Sequence, residues 1–336
     1  MTSTRRNFIA RSVLTAAGVT AGLNSALLKG ASADSQVSKA SALPPDPDAF
    51  KISVFSKHLQ WLDFNQMAAA LEEVGFDGTD LTVRPGGHVE PENAEKDLPK
   101  AAEALAKRGK KIYMITTAIK DAENPLTEKI LRTCSSLGIK HYRMDWGHYE
   151  NGKTVEQSIS EMQAKLTKLS KINEKYSISG EYQNHSGVAR EGIYFGGAIW
   201  DTAMVLKAIN SKWLNAQYDV YHASVEGANT WPVGLRLISP WIRSIDIKDF
   251  EWIKEKDRTR SESVPLGTGR VDFKKYFSML KEMNIRVPIS IHYEYPLGGA
   301  EQGAKQLTIK KEEVFSAMKR DLGILKGYLK DAGLVV

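Results

Sequence analysis

Two spacings of apolar residues alternate along this chain. Short strand-like runs fall at Ile52–Phe55, Gly78–Val83, Lys111–Thr116, Lys140–Met144, Tyr176–Gly180, Leu214–Tyr218, Ser244–Lys248 and Ile289–Tyr293. Between and after them, apolar residues recur at helical spacing over Phe64–Val74, Leu98–Arg108, Pro125–Leu137, Val155–Tyr176, Ile199–Ile209, Val233–Ile238, Phe273–Met283 and Lys310–Ala332. About eight strand–helix units in roughly 280 residues predict an α/β protein, a single-domain (β/α)8 TIM barrel. No internal repeat and no second composition regime interrupts it. The last two strands are followed by long stretches, charged over Phe250–Val264 and glycine-rich over Tyr295–Gln306. Loops there lie at the catalytic mouth of such a barrel, where either can serve as a lid.

Period two also sorts the strand residues by face. One face carries Ser177, Ser179 and Glu181; then Asn215, Gln217 and Asp219; then Ser244, Asp246 and Lys248; then Ser290, His292 and Glu294. The other carries Ile178, then Leu214, Ala216 and Tyr218, then Ile245 and Ile247, then Ile289, Ile291 and Tyr293. An apolar back packs on helices while a polar front converges at the mouth. Glu181, Asp219, Asp246 and Glu294 are therefore expected to meet, and a divalent cation is the usual remedy for converging carboxylates. The competing expectation is that each acid forms an ion pair or caps the next helix.

Other polar groups sit near strand ends. Arg84 shares a face with Asp80 and Thr82, and either reaches substrate or pairs with Asp80; Pro85-Gly86-Gly87 then turns the chain and presents His88. Trp146, with His148 and Tyr149, either stacks on a sugar face or joins an aromatic cluster under the helices. Lys248 is an acid, a charge stabiliser or a neutraliser of the acids. His185 and His292 are wall residues of the site or satisfied structural histidines.

Composition adjusts this picture at the N-terminus. The chain has 336 residues and a formal charge of +6, but Arg5, Arg6, Arg11 and Lys29 supply four of those charges within residues 1–33, leaving +2 for the rest. That is a weak basis for a nucleic-acid partner, and none is expected. Thr4-Arg5-Arg6-Asn7-Phe8-Ile9, the mildly apolar run to Leu28 and Ala31-Ser32-Ala33 resemble a twin-arginine export signal over 1–33, with a proline-containing linker over 34–50 and the barrel over 51–336. The expected location is periplasmic or extracellular, with no stable membrane insertion after signal removal. Cys134 is the only cysteine, so no intrachain disulfide forms, and its helical setting predicts a buried thiol.

Taken together, these motifs resemble the xylose-isomerase-like barrels, a superfamily of sugar and sugar-phosphate isomerases and epimerases. In its ketose 3-epimerases a glutamate opens a Glu-x-x-Asn motif, matched here by Glu181 and Asn184. A ligand aspartate precedes a substrate-binding histidine by three, matched by Asp219 and His222. A Pro-x-Gly-x-Gly loop and a final glutamate correspond to Pro265–Gly269 and Glu294. The family's ligand histidine, three residues before an acid, falls instead on Asp246, with Asp249 as that acid. The implied ligand set, Glu181, Asp219, Asp246 and Glu294, is all oxygen, which favours Mn²⁺ or Mg²⁺ over Zn²⁺.

The reaction this implies is isomerisation or epimerisation of a carbohydrate through an enediolate. Glu181 and Glu294 would remove and return the proton, and His222 and Arg84 would orient hydroxyls. With a leaving group on the next carbon the same chemistry becomes a lyase or dehydratase reaction on keto-sugars or keto-glycosides. A third alternative is an exported carbohydrate-binding protein. The expected partner is a small carbohydrate, and a homo-oligomer stays open.

Overall fold

A computed structural model describes residues 46–334; the signal-like segment and most of the linker lie outside the described residues. Eight parallel strands close into a barrel: β1 (Ile52–Phe55), β2 (Gly78–Val83), β3 (Lys111–Thr117), β4 (His141–Arg143), β5 (Ser179–Gln183), β6 (Leu214–Asp219), β7 (Ile242–Ile247) and β8 (Ile289–Ile291). Each pairs with its neighbours in sequence, and β8 returns to β1 with Ile52 opposite Ile289. This is the predicted single (β/α)8 barrel. The outer ring is α1 (Phe64–Val74), α2 (Ala94–Ala106), α3 (Pro125–Ser136), α4 (Val155–Tyr176), α5 (Trp200–Ile209), α6 (Val220–Gly227), α7 (Trp231–Ile238), α8 (Phe273–Glu282) and α9 (Lys311–Asp331). Among the described residues no helix is long and apolar enough to cross a membrane.

Local chemistry sets the element ends. Asp63 and Gln66 form a capping box that starts α1, and Gly75, at φ +98°, ends it. Met67, Leu71 and Val74 on one face of α1 are buried against the strands, and burying each such side chain is worth about 1.5–3 kcal/mol. Ile178, Tyr218, Ile245, Ile289 and Tyr293, the predicted apolar backs, are all fully buried, as is Cys134.

Three elements differ from expectation. α4 closes at Ser177 in a left-handed conformation (φ 50°), so β5 begins at Ser179, three residues later than the pattern predicts. The charged Phe250–Val264 stretch is a regular antiparallel hairpin, Asp249–Glu255 against Arg258–Val264. Its outer part is exposed, so burial imposes no alternation on its sequence. Near the mouth, His148–Tyr149, Val188–Ala189 and Gly192–Tyr194 form a small three-stranded sheet.

The described end of the linker packs on the barrel. Phe50 is buried, and Asp46 Oδ2 lies 3.0 Å from His141 Nε2, while His141 Nδ1 meets Glu181 Oε1 at 2.6 Å. Burial opposes charging His141, but Glu181 and Asp46 outweigh it and raise its pKa to about 9. A raised folded-state pKa means the stabilisation is fully present below the ordinary value near 6.5 and is lost as pH climbs through 9. His141→Gln should therefore cost about 3 kcal/mol at pH 6, and the gap to wild type should close by pH 10. Thermal melts at both pH values check this; an equal gap at both would show that the imidazole carries no charge.

Candidate active site

The strands deliver their polar face to the C-terminal mouth, where Phe55, Lys57, Arg84, Arg143, Trp146, Gln183, His185, Lys248, His292 and Glu294 line a cleft of about 270 Å³. A larger cavity, about 490 Å³, lies beside α5 and α7 against Tyr218; Glu226 is its only charged lining residue, and it is away from these groups.

Lys248 is the hub of the cleft. Its ammonium donates to Glu294 Oε2 at 2.9 Å and to His222 Nε2 at 2.8 Å, and lies 3.2 Å from Asp219 Oδ2. Burial would strip its proton, but Asp219 and Glu294 outweigh burial and hold the pKa above the ordinary lysine value. Burial would likewise raise Glu294, yet Lys248 and Lys57, the latter at 3.5 Å, hold its carboxyl well below the usual range. At neutral pH the cleft thus contains a fixed cation beside a fixed, partly exposed anion.

The histidine tautomers follow from this hub. Burial and the Lys248 charge keep His222 neutral. Nε2 accepts from Lys248, so Nδ1 carries the proton and donates to Ser186 Oγ at 2.7 Å. His185 is neutral for the same two reasons, with its pKa lowered to about 3. Its Nδ1 donates to the Ser186 carbonyl at 2.8 Å, leaving Nε2 as an acceptor. Its ring centre lies 3.8 Å from that of His222, tilted against it, and 4.7 Å from that of Trp146, which it meets edge-on.

Of the four acids expected to converge, the structure brings together only some. Asp219 and Glu294 share Lys248, and Asp219 also caps α6 through the His222 N–H. Asp219 and Asp246 are bridged by Gln183, whose Nε2 donates to both (3.1 Å to Asp219) while its Oε1 accepts from Arg143 Nη1 at 3.0 Å. Glu181 does not join them. It is 1% exposed, bonded to His141 and Ser244 below the mouth, and lines no part of the cleft. The late start of β5 is the physical reason: Gln183, two residues on and on the same face, occupies the strand end.

Two residues expected on substrate are held elsewhere. Asn184 clamps the main chain of Asp219, donating to its carbonyl and accepting from its N–H, both at 2.9 Å. His88 is taken up by Ser56 Oγ and the Leu59 carbonyl, both at 3.1 Å. Arg84, Trp146, His185, Lys248 and His292 do line the cleft, and His222 touches it through Lys248. Arg84 does not pair with Asp80, which accepts from Thr116 and Ser290.

Gln183, Arg143, Lys57 and Phe55 were not anticipated. Gln183 continues the face of Ser179 and Glu181, and Lys57 lies two residues beyond Phe55, so the period-two rule extended by one step would have found both. Asp249 also acquires a role: its carboxylate accepts the N–H groups of Phe250, Gly267, Gly269 and Val271 and fastens the Pro265–Gly269 loop. A Cβ at Gly269 would stand 2.3 Å from the Phe250 carbonyl, so only glycine fits there.

Residues 63–310 match the Xylose isomerase-like TIM barrel family. The chain belongs to this family. Similar solved structures include the IOLI protein with a bound zinc atom (TM-score 0.64, 17% identity, 83% of this chain and 99% of that one) and L-ribulose 3-epimerase (0.63, 13%, 84% and 95%). The apo 3-keto-D-glucoside 4-epimerase YcjR from E. coli is a third (0.60, 13%, 83% and 99%). No curated protein matches the sequence.

Atoms left without partners test whether this xylose isomerase-like barrel suits a metal. Among the described residues, Asp246 Oδ1 and both ring nitrogens of His292 are buried without a hydrogen bond. Together with Asp80 they offer ligand atoms that all lie within 4.8 Å of one another. Burial and Lys248 hold His292 neutral, with a pKa of about 3, as a ligand requires. Two carboxylates and an imidazole fit a divalent cation. The set is mixed oxygen and nitrogen, which removes the all-oxygen argument for Mn²⁺ or Mg²⁺ over Zn²⁺.

Proposed function

We propose that the mouth of this sugar isomerase/epimerase-like barrel moves a proton at a carbon beside the carbonyl of a small sugar, through an enediolate. The observation that carries the reading is the pairing of Glu294 with Lys248. A general base must be ionised and accessible, and Glu294 is held anionic with 27% of its side chain exposed. An oxyanion stabiliser must stay charged, and Lys248 is held protonated, so it acts through its charge rather than as a proton donor.

Glu294 takes the carbon-bound proton, and charge developing on the adjacent oxygen falls to Lys248 and Lys57. His185 Nε2 accepts from a hydroxyl, and Trp146 covers a ring face. Bound at Asp80, Asp246 and His292, a divalent cation would supply Lewis-acid polarisation of substrate oxygens.

Because Glu181 lies below the cleft, Glu294 is the one glutamate on its lining. One base on one face of an enediolate can return the proton to the neighbouring carbon while the hydroxyl proton passes from one substrate oxygen to the other, which is isomerisation. Epimerisation at one carbon needs a donor on the opposite face. We therefore place aldose–ketose isomerisation ahead of epimerisation, with elimination as the outcome when the substrate carries a leaving group. The export-like segment suggests free sugars and glycosides as substrates. Turnover of a panel of free ketoses, aldoses and 3-keto-glycosides, read by product mass, tests the reading. Rearranged sugar of unchanged mass is expected; products lighter by water or an aglycone would make the enzyme a lyase, and no turnover across the panel would overturn the assignment.

A further inference from the structure

We infer that the cleft selects a sugar bearing a carboxylate, gripped between the guanidinium groups of Arg84 and Arg143. This rests on the reading of the mouth as a sugar site and adds the substrate class. Both guanidiniums lie against one ring: the Cζ atoms of Arg84 and Arg143 are 5.4 and 5.3 Å from the centre of Phe55, and Arg143 also lies 4.8 Å over Trp146. Among the described residues, no carboxylate comes within the 4.0 Å ion-pair distance of either. Arg143 spends one N–H on Gln183 and leaves its buried Nε without an acceptor. Two like charges thus share an aromatic platform with unused donors.

Burial and then the charge of Arg143 pull Arg84 down to about 10, the strain an anion between them would relieve. The planar forks match a carboxylate bidentately. A phosphate dianion matches less well, because Arg143 already feels the buried carboxyls of Asp80 and Asp246, and Glu294 lines the same cleft. A second negative charge would face these groups.

Equilibrium binding of hexuronates, the matching hexoses and the hexose 6-phosphates to the full chain tests the inference without needing turnover. The tightest uronate should bind at least tenfold better than the tightest member of either other class. Arg84→Gln should erase that advantage, and Arg84→Lys, which keeps the charge and loses the fork, should retain only part of it. Neutral sugars or 6-phosphates binding as tightly as uronates would overturn the inference. So would absence of uronate binding, or an undiminished advantage in folded Arg84→Gln. Uronate binding without carbon-bound proton exchange would instead overturn the reaction and leave the carboxylate grip standing.

Discussion

Glu294→Gln should lower kcat by about 10²–10⁴-fold, the range for loss of a general base. The amide keeps the shape and a hydrogen-bond acceptor but cannot take a proton. Its effect on the fold should be small, since the side chain is partly exposed and Lys248 retains Asp219 and His222 as partners. Steady-state kinetics beside a thermal melt separates the two effects. Wild-type kcat in the variant would remove Glu294 from the chemistry.

Lys248→Met should be the most damaging single change. It removes the stabilising charge, at about 10²–10³ in kcat, and leaves Asp219 buried without its cation, which costs about 3–5 kcal/mol. Without the ammonium, burial of Asp219 loses the largest charge that opposes it, and its pKa, already about 6, rises further. Lys248→Arg restores a cation and should recover much of the melting temperature. It should recover less of kcat, because the planar group cannot reproduce the contacts to Glu294, Asp219 and His222 together. Wild-type kcat in folded Lys248→Met would indicate that Lys248 serves the fold alone.

Both residues were visible in the sequence because period two places them on the polar face of their strands. The barrel was legible for the same reason: apolar backs at Ile245, Ile247, Ile289 and Ile291 alternate with polar fronts, and helical spacing fills the intervals. Alternation specifies a face, however, and not a height along the barrel axis. Glu181 has the right face and lies below the mouth, bonded to His141 and Ser244, because Ser177 ends α4 in a left-handed turn and delays β5. Gln183 takes the strand end instead.

His292 and Asp80 illustrate a second limit. Their proximity to Asp246 depends on the stagger between β2, β7 and β8, which no single stretch of sequence encodes. Asn184 resembles a substrate-site asparagine by its spacing from Glu181, yet it holds the main chain of Asp219, a role that spacing alone does not distinguish.

Turnover in D₂O tests the proton-transfer claim most directly. Glu294 is partly exposed, so the proton it removes exchanges with solvent before return. Solvent deuterium is expected at one specific carbon of an isomerised sugar, and none in Glu294→Gln. Rearranged product free of deuterium would mean that the hydrogen passes between carbons without reaching solvent, and would contradict proton transfer through an exposed Glu294.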